Sequence, residues 1–319
     1  MSRNAIGYST AIAAVAFWST TGVFLSYLST HFKVEPLALA FWRNLLISAT
    51  LVPVFLLTNR RLLRIAPGEI GFYALFGFVL ALLNYIWTLA VVKDGAAVAT
   101  VLIYSSTGFT AVFARFLFRE KLGPAKIAAI LFSLVGCVMV SNAYRAEMWR
   151  LNVVGVSAGL LSGIAFSGFS LFSKEASRRK VNSWTSLIYS FIFGAVFTFA
   201  FSLVPRLPGS AGVARLLSPN LPATGWLVLV VLALVPTLFG FWFYNMSMNY
   251  LPASTANLLA TLEPPMTALE AYVLLDERMT IIQIAGGLAI LAAVAMVQFE
   301  KAEPRTSAAP LDIPSSDRT

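Results

Sequence analysis

Cysteine and histidine each occur once in the 319 residues, and only 12% of the side chains are charged. A single cysteine, Cys137, excludes an intramolecular disulfide and a thiolate metal cage. With one histidine besides, neither a metal nor a cofactor is expected, and an enzyme here would have to work through carboxylates alone. His31, beside Lys33 and Glu35 at a helix end, reads as a solvated loop residue, with a proton or solute contact as the other reading. The phosphate-loop pattern G-x-x-x-x-G-K-S/T is missing, as is any polar stretch long enough for a sizeable soluble domain, so direct drive by nucleotide hydrolysis is not encoded.

What the chain has in quantity is apolar surface. Hydrophobic residues make up 58%, and the charge content is half of the roughly 25% usual in soluble domains, so the solvent for most of this surface is a bilayer. Apolar segments long enough to span about 30 Å of hydrocarbon fall near 5–28, 37–57, 69–92, 95–118, 124–142, 152–173, 183–204, 224–248, 253–275 and 280–299. The first follows Arg3 but is longer than the apolar core of a secretion signal and lacks a small-residue cleavage site, so it reads as a helix. From Lys301 onward the chain is polar and carries Pro304, Pro310 and Pro314, the composition of a disordered tail over 301–319. The fold class expected is an all-α membrane protein with ten transmembrane helices.

The basic residues set an orientation. The formal charge of +9 is spread among connections rather than gathered in one patch, which argues against nucleic acid. With a cytoplasmic amino terminus, the inner side carries Arg3, Arg60, Arg61, Arg64, Arg115, Arg119, Lys121, Lys126, Lys174, Arg178, Arg179, Lys180, Lys301, Arg305 and Arg318, which is 15 of the 23. The outer side holds Lys33, Arg43, Lys93, Arg145, Arg150, Arg206, Arg215 and Arg278. The positive-inside rule therefore places both termini in the cytoplasm, in the inner (plasma) membrane.

Sliding the chain against itself by 157 residues aligns 96–140 with 253–297 without a gap. Ala96 meets Ala253, Ala99 meets Ala256, Thr110 meets Thr267, Glu120 meets Glu277, and Met139-Val140 meet Met296-Val297. Five helices per copy is an odd number, so the second copy enters the membrane from the other side. The expectation is two inverted five-helix repeats, 1–145 and 146–300, around a shared central site that alternates its access.

Ala16-Phe17-Trp18-Ser19 in the first span, Phe41-Trp42-Arg43 in the second, Phe118-Arg119-Glu120-Lys121-Leu122 after the fourth and Leu262-Glu263-Pro264 in the ninth resemble the drug/metabolite transporter superfamily, EamA type. The resemblance covers about residues 5–299. It implies an exporter or importer of amino acids, related metabolites or drugs, driven by the proton gradient or by exchange. The first copy departs from the second, with Ser105-Ser106-Thr107 where the second has Leu262-Glu263-Pro264, so any polar site is asymmetric.

Glu263 lies near the bilayer midplane, where a carboxylate facing lipid costs several kcal/mol and so must face a cavity or a partner. It can serve as the proton-coupling or amine-binding group, or as a neutral acid that satisfies carbonyls freed by Pro264-Pro265. Glu270 sits two turns further on, and Arg43 about as deep from the outer end of the second span. They are expected to pair as an outer gate or salt bridge, with solute-carboxylate binding or snorkelling of Arg43 as the other readings. Trp18 in the first span, Asn84, Tyr85, Trp87 and Thr88 in the third, and Trp242, Tyr244 and Asn245 in the eighth mix polar and aromatic groups suited to an amphipathic solute, although Trp and Tyr also anchor helices. Thr88 and Asn245 correspond under the repeat. Tyr104, Ser106 and Thr110 in the fourth span are candidate pocket-liners, and their other reading is hydroxyl bonding back to the helix. Gly155, Gly159 and Gly163 form a small-residue stripe for close packing or a homodimer seam, leaving monomer and homodimer both open. The reading is a secondary active transporter, an exporter of a small amphipathic metabolite such as an amino acid. A channel, which would want rings of like residues, and a membrane-embedded enzyme are the alternatives.

Overall fold

The computed structural model describes residues 2–145, 153–275 and 279–299. Arg150, Glu277, Arg278, Lys301, Arg305 and Arg318, and with them the tail 301–319, lie outside the described residues. Among the described residues there is no strand, as the bilayer demands of a chain whose backbone polar groups must be satisfied within each segment. The helices are α1 Arg3–Trp18, α2 Thr21–His31, α3 Pro36–Thr58, α4 Ile70–Asp94, α5 Ala96–Ile103, α6 Ser106–Phe118, α7 Pro124–Val140, α8 Val153–Arg178, α9 Ser183–Phe201, α10 Val213–Leu217, α11 Ala223–Leu232, α12 Leu238–Ser247, α13 Ala253–Ala260, α14 Glu263–Leu275 and α15 Ile281–Phe299. Among the described residues seven stretches are long and apolar enough to cross a membrane: Arg3–His31, Pro36–Thr58, Pro67–Asp94, Ala96–Phe118, Val153–Arg178, Ser183–Phe201 and Ala223–Ser247. Pro124–Val140 and Ile281–Val297 are shorter apolar helices.

Helix ends follow from local chemistry. Ser2 and Asn182 accept the first free N–H groups of α1 and α9, and Pro36 and Pro124 open α3 and α7, where a missing N–H costs nothing. Lys33, Arg119, Asn142 and Lys180 end α2, α6, α7 and α8 in left-handed geometry.

Contacts sort the connections onto two faces. On one face Gly7 packs on Tyr250 and Leu251, Arg179 binds Glu69 at 2.9 Å, Thr185 and Tyr189 donate to the carbonyls of Leu62 and Leu63, and Glu120 receives the start of α13. Because α1 starts here, we call it the terminal face. On the opposite face Leu37 N–H reaches Gly209 O, Trp42 Nε1 donates to Leu216 O at 2.8 Å, Gln283 Nε2 donates to Val140 O at 3.2 Å, and Asp94 lies on Gly155.

The 157-residue shift holds in the backbone. It carries α5 onto α13 and α6 onto α14 at both ends, and the start of α7 onto that of α15. It also carries the break at Tyr104-Ser105 onto the break at Thr261-Leu262. The chemistry of the two breaks differs. Pro264 and Pro265 have no N–H to give to the carbonyls of the preceding turn, which ends α13. At this break the Thr261 hydroxyl also donates to Leu258 O at 2.6 Å. In the first copy, which has no proline there, hydroxyls alone compete for the carbonyls: Ser105 Oγ donates to Leu102 O at 2.7 Å and Thr107 Oγ1 to Tyr104 O at 2.8 Å. A third break, at Ser19-Thr20, separates α1 from α2. Between α11 and α12 the chain widens into a π turn, Ala233–Thr237. Pro236 cannot bond Leu232 O, and the Thr237 hydroxyl takes that carbonyl at 2.8 Å.

The glycine stripe of α8 is used inside the molecule. Gly155 lies on Asp94, Gly159 on Leu102 and Gly163 on Ser105, each with no room for a Cβ. This close approach seats α8 against the end of α4 and the broken α5–α6 segment, so the stripe is not an exposed seam.

Candidate functional site

The three breaks converge. A cavity of about 50 Å³ is lined by Trp18 and Thr21 from the first, by Ile103 and Tyr104 from the second and by Glu263 from the third, together with Arg43, Leu83, Asn84, Trp87, Phe166 and Phe241. Discontinuous helices buried within the bundle supply polar groups there without exposing backbone to lipid. Glu263 opens α14, where the helix dipole favours a carboxyl group. Tyr104 Oη donates to Glu263 Oε2 at 2.5 Å, so the two breaks are joined across the cavity wall.

The opposite wall is rich in donors. Arg43 is 2% exposed; its Nε donates to Thr237 Oγ1 at 3.2 Å, the hydroxyl that Pro236 recruits, while its Nη1 has no partner. The indole nitrogens of Trp18 and Trp87 and the hydroxyl of Thr21 are likewise buried without partners. Buried polar groups in folded proteins are nearly always bonded, so four orphans around one cavity point to a ligand rich in acceptors. Aromatic rings fix the shape: Trp18 meets Phe241 edge-on at 5.1 Å and Phe166 at 5.7 Å, and its indole lies against Gly240 where no side chain would fit.

Glu263 also lines a second space. A vestibule of about 340 Å³ includes Ser19, Ala96, Ala97, Thr100, Ser141, Asn142, Glu263, Thr267 and Gln283, and its rim residues belong to the face opposite the termini. Toward the terminal face the packing is closed. Ser106 Oγ donates to Asn257 Oδ1 at 3.0 Å, Asn257 Nδ2 to Ser170 Oγ at 2.9 Å, and the hydroxyls of Ser170 and Tyr244 are hydrogen-bonded at 2.7 Å; all four residues are buried.

Of the residues singled out in the sequence, Trp18, Arg43, Asn84, Trp87, Tyr104 and Glu263 line the cavity. Asn84 is held by its Nδ2 on Asn44 Oδ1 at 2.8 Å. Others lie elsewhere. Thr88 bonds back to Asn84 O at 2.6 Å, Ser106 belongs to the seal on the terminal side, and Thr110 is buried in α6 with no hydroxyl partner. Asn245 accepts from Ser173 at 2.6 Å, and Trp242 stacks on Trp184 at 4.6 Å. The expected pair between Arg43 and Glu270 does not form. The break after Trp18 frees the Ser19 hydroxyl, which donates to Glu270 Oε1 at 2.5 Å, and the π turn gives Arg43 a different partner. His31 is exposed and stacks on Tyr27 at 5.2 Å. Thr21, Phe166 and Phe241 were not anticipated; the run Ser19-Thr20-Thr21 inside an apolar span was the one signal available for the first.

Comparison with known proteins agrees with this architecture. The sequence model of the EamA-like transporter family matches twice, at residues 5–142 and 153–299. An uncharacterized transporter of Archaeoglobus fulgidus is 27% identical over 221 residues, 69% of this chain and 73% of that one. A second from the same organism is 26% identical across 87% of this chain and 93% of its own, and the uncharacterized transporter YdfC of Bacillus subtilis is 25% identical across 81% and 80%. A crystal structure at 20% identity superposes with a TM-score of 0.69 over 92% of this chain and 97% of the other, a likeness of fold.

Proposed function

The chain belongs to the EamA-like transporter family, and from that premise we propose that it is a secondary active carrier of a small zwitterionic metabolite such as an amino acid. It is a multi-pass membrane transporter, and its relatives are transporters rather than enzymes. Our reading adds ten crossings in two inverted halves, 1–145 and 146–300, with 301–319 as a tail. Both termini lie in the cytoplasm of a cell whose inner membrane holds the protein, because the terminal face carries Arg60, Arg61, Arg64, Arg119, Arg178, Arg179 and Lys180.

The observation that carries the solute class is the division of the cavity wall: unpartnered donors on Arg43, Trp18, Trp87 and Thr21, and a carboxyl on Glu263. A carboxylate fits the first group and an amine the second, with Phe166 and Phe241 facing an apolar side chain. At about 50 Å³ the cavity is smaller than the roughly 300–1,000 Å³ of ligand pockets, so the solute is admitted by movement at the breaks. Glu263, touching both cavity and vestibule, is placed to exchange a solute amine for a proton. Coupled in this way to inward proton flow, the carrier exports.

The test is uptake by proteoliposomes from a panel of labelled amino acids under an imposed proton gradient. Saturable uptake that Glu263→Gln uncouples from the gradient supports the reading. A folded protein that moves no member of the panel, with or without a gradient, refutes it.

A further inference from the structure

The helix that leads to Glu263 begins without a cap of its own. α13 follows Pro252, whose side chain cannot accept a hydrogen bond, and no side chain of its own segment satisfies its first N–H groups. The acceptor comes from the other half of the chain. Glu120, just past the left-handed Arg119 that ends α6, accepts Ala253 N–H at Oε1 at 2.7 Å and Ser254 N–H at Oε2 at 3.3 Å. The Ser254 hydroxyl donates to the same carboxylate. Lys126 stands behind it at 3.6 Å, and the two side chains are only 8% and 10% exposed. A nearby lysine completes the arrangement: Lys174 Nζ donates to Met248 O at 2.8 Å and Leu251 O at 2.6 Å, so the 248–252 connection is held by a cation on its carbonyl side and a carboxylate on its amide side, each matching the local helix dipole.

All of this lies at the terminal face. Below it, Ser106 on Asn257 is the next bond between the halves, and beyond that is the cavity, which on the other side meets the vestibule through Glu263. We propose that Glu120 is the positioning residue that holds the terminal-face gate shut, its cap on α13 being made while the vestibule is open and broken when the cavity opens to the terminal face. The inference rests on the carrier reading above for its purpose, but not for its test. Because the cap is the outermost of the bonds that join α6 to α13, the strength of this one carboxylate sets how often the gate opens.

The experiment places a thiol beneath the gate. Thr110 is buried in α6 and its hydroxyl has no partner, so Thr110→Cys costs no bond; the Cys137→Ala background gives up the weak Cys137 Sγ bond to Thr261 O at 3.9 Å, and every variant is compared within that background. Labelling by a membrane-impermeant maleimide is followed in lipid nanodiscs, where its rate scales with the open fraction. Glu120→Gln, which loses the charge and one acceptor oxygen, should raise the rate about tenfold, the equivalent of ~1.4 kcal/mol. Ser254→Ala removes one donor and keeps both amides, and should raise it about threefold. Glu120→Asp, keeping the charge, should fall between wild type and Glu120→Gln. An unchanged rate in Glu120→Gln overturns the proposal. If that variant does not fold, an unchanged rate in Ser254→Ala does so instead. Labelling needs no solute: faster labelling in a protein that transports nothing upholds the gate and sinks the carrier reading, and transport with unchanged labelling does the reverse.

Discussion

Replacing Arg43 by methionine should separate affinity from stability, with opposite signs. Arg43 is 2% exposed and makes one side-chain hydrogen bond, to Thr237; Nη1 has none. Methionine keeps most of the length and apolar volume. The loss of one bond from a charged donor costs about 1.5–3 kcal/mol, against a desolvation penalty of several kcal/mol for a buried charge with so few partners. The solute-free Arg43→Met protein should therefore melt no lower than wild type, and several degrees higher if the penalty is only partly met. Solute binding should move the other way. A hydrogen bond to a charged group is worth about 1.5–3 kcal/mol, so Kd should rise about 10- to 150-fold. Thermal unfolding in nanodiscs and equilibrium binding of the labelled solute read the two quantities on the same sample. A lower melting temperature with unaltered Kd would make Arg43 a structural residue and refute the reasoning.

Glu263→Gln should keep exchange between solute pools and lose accumulation driven by a pH jump, since the amide hydrogen-bonds but carries no proton across; flux assays under the two regimes check it. Gly240→Ala puts a methyl against the Trp18 indole, which should cost about 1–3 kcal/mol of overpacking and weaken solute binding by displacing a cavity wall, as a binding isotherm would reveal. Gly159→Leu collides with Leu102 and should lower the melting temperature with little effect on the pH dependence of whatever flux remains. A Tyr104→Phe variant, lacking the donor to Glu263, should change the pH profile of transport while leaving the melting temperature within a few degrees of wild type.

The parts of this account that were legible in the sequence are those that depend on position along the membrane normal. Apolar runs, basic connections and the 157-residue repeat all read depth, and the helix boundaries of α5, α6, α13 and α14 repeat as that shift requires. Glu263 was legible for the same reason, since a carboxyl at that depth needs a cavity. Rotation about the helix axis was not legible. A span apolar on every side has no marked face, so neighbouring Phe241 and Trp242 look equivalent, yet Phe241 lines the cavity and Trp242 stacks on Trp184. Pairing was equally hidden. Arg43 and Glu270 lie at compatible depths, but the break at Ser19-Thr20 and the π turn at Pro236 each release a hydroxyl that takes one of them. Proline marks one of these distortions in the sequence; the break in the first span rests on serine and threonine, which tolerate continuous helix almost as well.

The proposed carrier presents one cavity, flanked by Arg43 and Glu263, to each face in turn. Counterflow tests it most directly: proteoliposomes loaded with unlabelled solute and diluted into labelled solute, with no gradient of any other ion. A carrier that reorients faster loaded than empty predicts a transient accumulation of label above the equilibrium level, abolished in Arg43→Met at the same solute concentration. Label that enters only to equilibrium, at a rate indifferent to the solute inside, would contradict it.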